Sequence, residues 1–468
     1  MPGLHDLGSD DLGLHDLGSD DLGPDDLGPD DLGPPVPGLR VLDLRGPDHA
    51  DHDTALGAWQ RLCGRAAGLE GEADRVAREV IAAVREHGDA AVTALTARHE
   101  GRDLQEFELS REHRQAAAAR VPSELREALA LAAANIRAFH ETQRVGDTGL
   151  HGEAIHLTSR ARPLARVAVY APGGTAAYPS SVLMAAIPAK VAGVREVILL
   201  TPRASDVVLC AAELAGVDRV FAIGGAQAIA AAALGTVQVP RVDKIVGPGN
   251  AYVTAAKRQV FGLVDIDGIA GPSEILVLAD RDADPALIAA DLLAQAEHDV
   301  LACALVVTDA PELVPHIHAA LAAQLADLPR KEIAARALAE QGAIVLVADR
   351  EAMVAAANAY APEHLELLVR DPRALVEDLH TAGAIFVGPW TPEAAGDYTA
   401  GPSHVLPTAG AARFASPLGV WDFIKITSVL ELSAPALRMQ STAIARIARA
   451  EGLEAHARAV ELRLRDRT

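Results

Sequence analysis

Two short stretches hold the residue types that could do chemistry. "DLLAQAEHDV" (residues 291–300) closes an Ala/Leu-rich helical pattern on Gln295, Glu297 and His298. Gln295 and His298 are three apart and share a helix face, while Glu297 points elsewhere. An imidazole beside an amide oxygen is half a metal site. The plainer reading is a helix-end imidazolium favoured by the helix dipole, and the pair alone favours that. "YAPEHLELLV" (360–369) sets Glu363 beside His364 in a turn just before a strand, after Pro362 has ended a helix. A carboxyl next to an imidazole suits general acid–base chemistry near neutral pH. A solvated loop pair is the competing reading, and by itself the pair favours it. Asp397 in "AGDYTAGPSH" is a lone acid in a glycine-rich loop, equally a turn former, and His404 in that loop has no assigned role. Glu451 and His456 fall on a polar C-terminal helical pattern, where a solvated face is the default.

The elements that must position these residues follow from periodicity. Residues 70–145 read as helical: "DRVAREVIAAVREHGD" puts Val76, Val80, Ile81 and Val84 on one face, with Gly88 as the stop. From Arg166 onward short apolar runs ("RVAVY", "EVILLT", "RVFAIG", "DKIV", "EILVLA", "CALVVT", "AIVLVA", "LELLV", "AIFV") alternate with Ala-rich helical stretches. That alternation predicts a parallel, doubly wound α/β architecture. Nine runs exceed what one compact sheet needs, so two incomplete Rossmann-like α/β domains are expected. One is 166–274. The other is 275–390, with the N-terminal helical segment 37–165 packed on it. Residues 391–468 are expected to form a C-terminal loop and helical segment, the last helical stretch being 433–465. Three Gly-rich turns follow strands: "YAPGG" (170–174), "AIGGAQA" (222–228) and "GPGNAY" (247–252). In a doubly wound sheet such turns lie at carboxyl ends of strands, where ligands bind. Each alone is as readily a packing turn, and Tyr252 stands where a complete GxGxxG has its third glycine. No Walker A loop, HExxH or GxSxG is present. The residues by themselves therefore reach a two-domain α/β protein, leave a nucleotide site and an oxygen- and nitrogen-ligated metal as open readings, and reach no substrate.

Composition bounds the partners. The 468 residues are 50% hydrophobic but only 3% aromatic, which suits tightly packed helix-on-sheet layers. A formal charge of −22 argues against nucleic acid and anionic membranes as partners. Ten aspartates and no Lys or Arg in residues 1–36, where Asp-Leu-Gly recurs every five residues, place −10 of that charge in an expected disordered acidic tail. Three scattered cysteines, Cys63, Cys210 and Cys303, fit a reducing compartment, and no secretion signal is visible. The uncharged windows 170–189 and 221–240 are broken by Gly, Pro and polar residues, so buried βα units explain them better than membrane spans. A cytoplasmic location is expected.

Taken together, "YAPGGTAAYPSSVLMAAIPAKVAGV", "GGAQAIAAAALGT", "VDKIVGPGNAYVTAAKRQV", "AGPSEILVLAD", "DLLAQAEH", "APEHLEL" and "AGDYTAGPSHVLPT" resemble histidinol dehydrogenase, in the family's order and from about residue 40 to the C-terminus. The resemblance implies zinc-dependent oxidation of L-histidinol to L-histidine through histidinal with two NAD⁺ reduced, the last steps of histidine biosynthesis. It implies one zinc per subunit on Gln295, His298, Asp397 and His456, with Glu363 and His364 as the catalytic pair. NAD contacts would be Tyr170, Gln227 and Asn250. Substrate contacts would be Ser273 and Glu451 together with His364 and the metal ligands Gln295, His298, Asp397 and His456. It further implies a homodimer with shared sites, in which Glu451 and His456 serve the neighbouring subunit. Two other readings compete: a related zinc/NAD dehydrogenase of another amino alcohol or a sulfonated diol, and a non-catalytic zinc- or nucleotide-binding protein. Glu451 opposes a sulfonate, and a binding protein needs neither Glu363 nor His364.

Overall fold

A computed structural model describes residues 39–47, 51–65, 71–173 and 178–465. The expected acidic tail, 1–36, lies outside them. All nine apolar runs form strands, and they divide between two parallel sheets. The larger sheet has the spatial order Arg40–Asp43, Ala343–Leu346, Cys303–Thr308, Glu274–Ala279, His364–Leu368, Ala384–Val387. Its central strand shows why both faces are covered. Ile275 and Val277 enter one buried cluster and Leu276 and Leu278 the other. A strand buried on both faces reads as a continuous apolar run, as "ILVLA" does.

The smaller sheet runs Arg219–Phe221, Glu196–Leu200, Arg166–Tyr170, Lys244–Val246, Asp265–Ile266. Its order reverses between Arg166–Tyr170 and Lys244–Val246, so the turns after these two strands flank the crevice that such a reversal opens. Gly247 is required there: its φ is +110°, and a Cβ would lie 2.2 Å from the Tyr170 carbonyl oxygen. Seven residues, 267–273, carry the chain from the carboxyl end of the smaller sheet's last strand to the amino end of Glu274–Ala279.

The N-terminal segment does not pack as one piece on the larger sheet. Strand Arg40–Asp43 and helix His52–Cys63 do join it, through Leu42, Ala55 and Trp59. The Glu72–His87 helix instead presents Ala77, Val80, Ile81 and Val84 to Ile229 and Val253 over the smaller sheet, and helix Ser123–Glu141 brings Leu129 and Ile136 to its other face. Apolar stripes of these helices meet Ala-rich helices whose small side chains allow close approach.

After residue 390 the chain is not only loop and helix. Ile424–Leu432 forms a strand, antiparallel to Ile155–Pro163, which also pairs with Thr148–His151. The C-terminal helix is two, Ala434–Ala450 and Glu454–Arg463, broken where Gly452 takes φ +77°. They share a small core of their own, Ala445, Ala448 and Ala457. No helix among the described residues is long and apolar enough to cross a membrane. Gly247→Ala should lower the melting temperature by several degrees, since a left-handed conformation and a backbone collision each cost on the order of 1–3 kcal/mol. A thermal scan within a degree of the parent would show that the turn can relax.

Candidate active site

Glu274, the first residue of its strand, organises the site through its backbone. Its N–H donates to Glu363 Oε2 at 2.8 Å, and its C=O lies 2.9 Å from His364 Nδ1. A carbonyl only accepts, so Nδ1 carries the proton and Nε2 keeps its lone pair. Among the described residues that Nε2 is buried with no hydrogen-bond partner. Burial lowers the His364 pKa to about 4, against the opposing pull of Asp397, so the ring is neutral at physiological pH. Burial pushes the Glu363 carboxyl well above its usual range, and the Glu274 N–H only partly offsets this. Glu363 Oε2 and His364 Nδ1 are 3.7 Å apart. The pair is therefore a buried unit at the amino edge of the larger sheet, not a solvated loop.

Asp397 lies in a short helix, Glu393–Tyr398, rather than in an open loop. Glu393 and Asp397 are four apart and share its inner face. Asp397 Oδ1 is 3.9 Å from His364 Nε2 and 3.8 Å from His404 Nδ1, whose ring also meets the Asp397 carbonyl at 3.0 Å. Glu393 Oε1 is 3.6 Å from His364 Nδ1, and burial raises its pKa well above normal, with Asp397 adding to the effect. One assignment of the Gln295 amide satisfies its neighbours: Nε2 donates to Glu393 Oε1 at 2.8 Å and to the Glu274 carbonyl at 3.3 Å. Its oxygen then faces donors, the polarity a cation also presents. Helix Pro285–Ala296 stops before His298, which sits in the tightened turn beyond, its N–H on the Gln295 carbonyl at 3.2 Å. A charge on His298 would disfavour protonation of both His364 and His404, which places it in the same pocket.

His364, Glu393 and Asp397 each offer a ligand atom within 4.8 Å of one another. This cluster shares only Asp397 with the ligand set implied by resemblance. By donor chemistry, an amide oxygen, a carboxylate and an imidazole, as Gln295, Asp397 and His298 offer beside this acid-rich pocket, fit zinc. Glu451 and His456 do not join the pocket. Both are exposed, on or beside the C-terminal helices, and no described contact ties them to it.

The remaining candidates line the carboxyl edge of the smaller sheet and the link to Glu274. The buried Tyr170 accepts at its hydroxyl from the Gly225 N–H at 3.1 Å, ahead of the helix that carries buried Gln227. Asn250, exposed, caps the Ala251–Val260 helix by accepting from the Val253 N–H at 3.1 Å. Helix N-termini at two of the Gly-rich turns suit a pyrophosphate. Lys257 and Asp267, both buried, hold the third turn: the ammonium meets the Gly247 carbonyl at 2.9 Å and the carboxylate the Gly247 N–H at 2.7 Å. Ser273 directly precedes Glu274, and its carbonyl accepts from the Cys303 N–H at 3.0 Å.

Sequence reasoning passed over Glu274, Glu393, and the pair Asp291 and Glu366. Each had a signal. Glu274 is a charge opening an apolar run, Glu393 stands four before Asp397, Asp291 four before Gln295, and Glu366 two after His364. The carboxyls of Asp291 and Glu366 are close enough to influence each other, and burial with the charge of Asp291 raises the Glu366 pKa to about 9. Unfolded, that carboxyl titrates near 4.3. Between these values the folded chain holds a proton the unfolded chain has released, so stability is full below the lower value and declines as pH rises toward the upper. Glu366→Gln should therefore gain melting temperature over wild type, with the gain larger at about pH 8.5 than at about pH 5. A gain or loss independent of pH would contradict a shared proton.

The sequence profile of the family described as histidinol dehydrogenase matches residues 65–464. The chain is 47% identical over 430 residues to the histidinol dehydrogenase of Aquifex aeolicus, covering 92% of this chain and all of that one. It is 51% identical over 414 residues to that of Moorella thermoacetica, covering 86% of this chain and 97% of the relative. The crystal structure of histidinol dehydrogenase from Elizabethkingia anophelis superposes with a TM-score of 0.85 at 34% identity, covering 92% of this chain and 98% of that one.

Proposed function

The chain belongs to the histidinol dehydrogenase family of NAD-dependent oxidoreductases, and we propose that it oxidises L-histidinol to L-histidine through histidinal at a zinc site, reducing two NAD⁺ in the cytoplasm. The observation that carries this reading is the neutral, buried His364, pinned through Nδ1 with a partnerless Nε2. An alcohol yields hydride only as its O–H proton leaves. Nε2 would accept that proton, and NAD⁺, which Tyr170, Gln227 and Asn250 would hold at the Gly-rich turns, would supply the hydride acceptor. The aldehyde has no second hydride to give until water adds, and Glu363 activates that water. Burial pushes the Glu363 carboxyl toward its protonated form, and a cationic substrate beside it acts in the opposite direction, toward the carboxylate that a base requires.

Gln295, His298 and Asp397 would hold the zinc with His456 of the partner subunit. When bound, a metal there would supply a Lewis acid for the substrate's imidazole and amine nitrogens and would screen the surrounding carboxyls. Glu393, by engaging the Gln295 nitrogen, turns the amide oxygen outward for this purpose. Ser273 and Glu451 complete substrate binding, the carboxylate suiting a cationic amine or imidazole.

Exposed Leu430, Met439, Ile447 and Leu462 on the C-terminal strand and helices support a homodimer in which this arm reaches the neighbouring site, because such an apolar surface is unusual on a free monomer. Exposure of Glu451 and His456 on the same arm fits that role.

Two measurements test the reading. Each L-histidinol consumed should yield two NADH with little free histidinal, and a ratio of one with aldehyde accumulating would rule out a four-electron reaction. His456→Ala and His364→Gln homodimers should each be nearly inactive. Mixed by unfolding and refolding, they should recover activity, up to about half of wild type per heterodimer, because one shared site then carries both lesions and the other neither. No recovery, with heterodimers present, would place His456 in its own chain's site.

A further inference from the structure

The polar groups behind the catalytic pair converge on Arg65. Its guanidinium forks onto the Glu274 carboxylate, Nε to Oε1 at 2.6 Å and Nη2 to Oε2 at 2.5 Å. Nη1 donates to the carbonyls of Tyr360 and Leu62, each at 3.0 Å. The guanidinium carbon lies 3.4 Å from the centroid of the Tyr360 ring, which stacks at 5.9 Å on Trp59. Glu274 Oε1 also accepts from the Ala409 N–H at 2.9 Å.

These contacts reach both backbone segments that carry the catalytic groups. Glu274 supplies the N–H that holds Glu363 and the C=O that holds His364. Tyr360 ends its helix immediately before Ala361, which takes the left-handed φ of +55° that turns the chain into Glu363 and His364. One side chain thus ties the start of one strand to the turn that begins its neighbour. We propose that Arg65 is a positioning residue for Glu363 and His364, setting the mutual placement of the two segments on which the proton-transfer geometry depends. The role rests on His364 and Glu363 being the catalytic pair.

The chemistry favours arginine specifically. A planar fork satisfies both carboxylate oxygens while its third nitrogen reaches a carbonyl in another direction and its face covers an aromatic ring. Lysine, a point charge, can meet the carboxylate or the Tyr360 carbonyl but not both with that geometry. A loosened pair should lose transition-state placement more than ground-state binding, so kcat falls while KM holds.

The test uses the full-length, metal-loaded enzyme with Arg65→Met, Arg65→Lys and Glu274→Gln, each normalised to its folded fraction. Arg65→Met should lower kcat roughly 10- to 100-fold, with KM for NAD⁺ and L-histidinol within about twofold of wild type. Arg65→Lys should restore part of the loss. Nitrogen-15 shifts of His364 should move from a single Nδ1–H tautomer toward a mixture in both Arg65 variants. Should Arg65→Met fail to fold, Arg65→Lys and Glu274→Gln carry the same readouts, because each retains the volume of the site. Folded variants with kcat within about twofold of wild type and an unchanged His364 tautomer would overturn the proposal and leave Arg65 a purely structural anchor. His364→Gln, assayed in parallel, separates the two claims: if it keeps turning over, the base assignment fails whatever Arg65 does.

Discussion

The site depends on one peptide unit at the edge of a sheet. Strand Glu274–Ala279 lies between Cys303–Thr308 and His364–Leu368, and parallel pairing on both sides leaves its position no freedom. At its first residue the N–H leaves the ladder for the Glu363 carboxyl, and the C=O also meets the side-chain nitrogens of His364 and Gln295. A buried peptide must satisfy its polar groups, so the same demand that orders the strand also fixes the imidazole tautomer and the amide orientation. The carboxylate of Glu274 is spent in the opposite direction, on Arg65 and Ala409.

Around this unit the pocket is crowded with carboxyls. Glu363 and Glu393 both have pKa values raised first by burial, and Asp397 sits close enough to raise each further. Such a group of acids is unfavourable by itself, since each buried charge costs several kcal/mol unless paired. Protons, a metal cation and a cationic substrate are the three ways to relieve it. A site that binds an amine-bearing imidazole compound beside a divalent ion would use the last two, and exchange protons with the first.

The two sheets contribute opposite edges. The smaller offers carboxyl ends with glycine turns and helix N-termini, which favour the negative charge of a dinucleotide. The larger offers amino ends, where Glu363, His364 and Glu274 stand. The link 267–273 joins the two edges, and the buried Lys257–Asp267 pair braces the turn at its beginning. Ordinary doubly wound sheets bind ligands at carboxyl ends alone, so a site on the amino edge of the second sheet departs from the general expectation.

Much of the architecture was legible in the linear pattern, because a strand buried on both faces must be apolar throughout and a covering helix must repeat every three to four residues. Those two rules located nine of the ten strands from Arg166 to Val387, all but the two-residue Asp265–Ile266, and the helix that stops at Gly88. They missed Ile424–Leu432, exposed at every position but its first and so without a burial pattern, and they could not tell which sheet the N-terminal helices would cover, since an apolar stripe does not name its partner. At the site, residue type alone left Glu363 and His364 as a loop pair and Asp397 as a turn former. Only the tertiary structure decided that the ring is buried and neutral, that Asp397 faces it from a helix, and that Glu274, Glu393 and Arg65 belong beside them. Sequence spacing determines which residues share a face. Protonation state, tautomer and the meeting of residues hundreds apart depend on what surrounds each group in three dimensions.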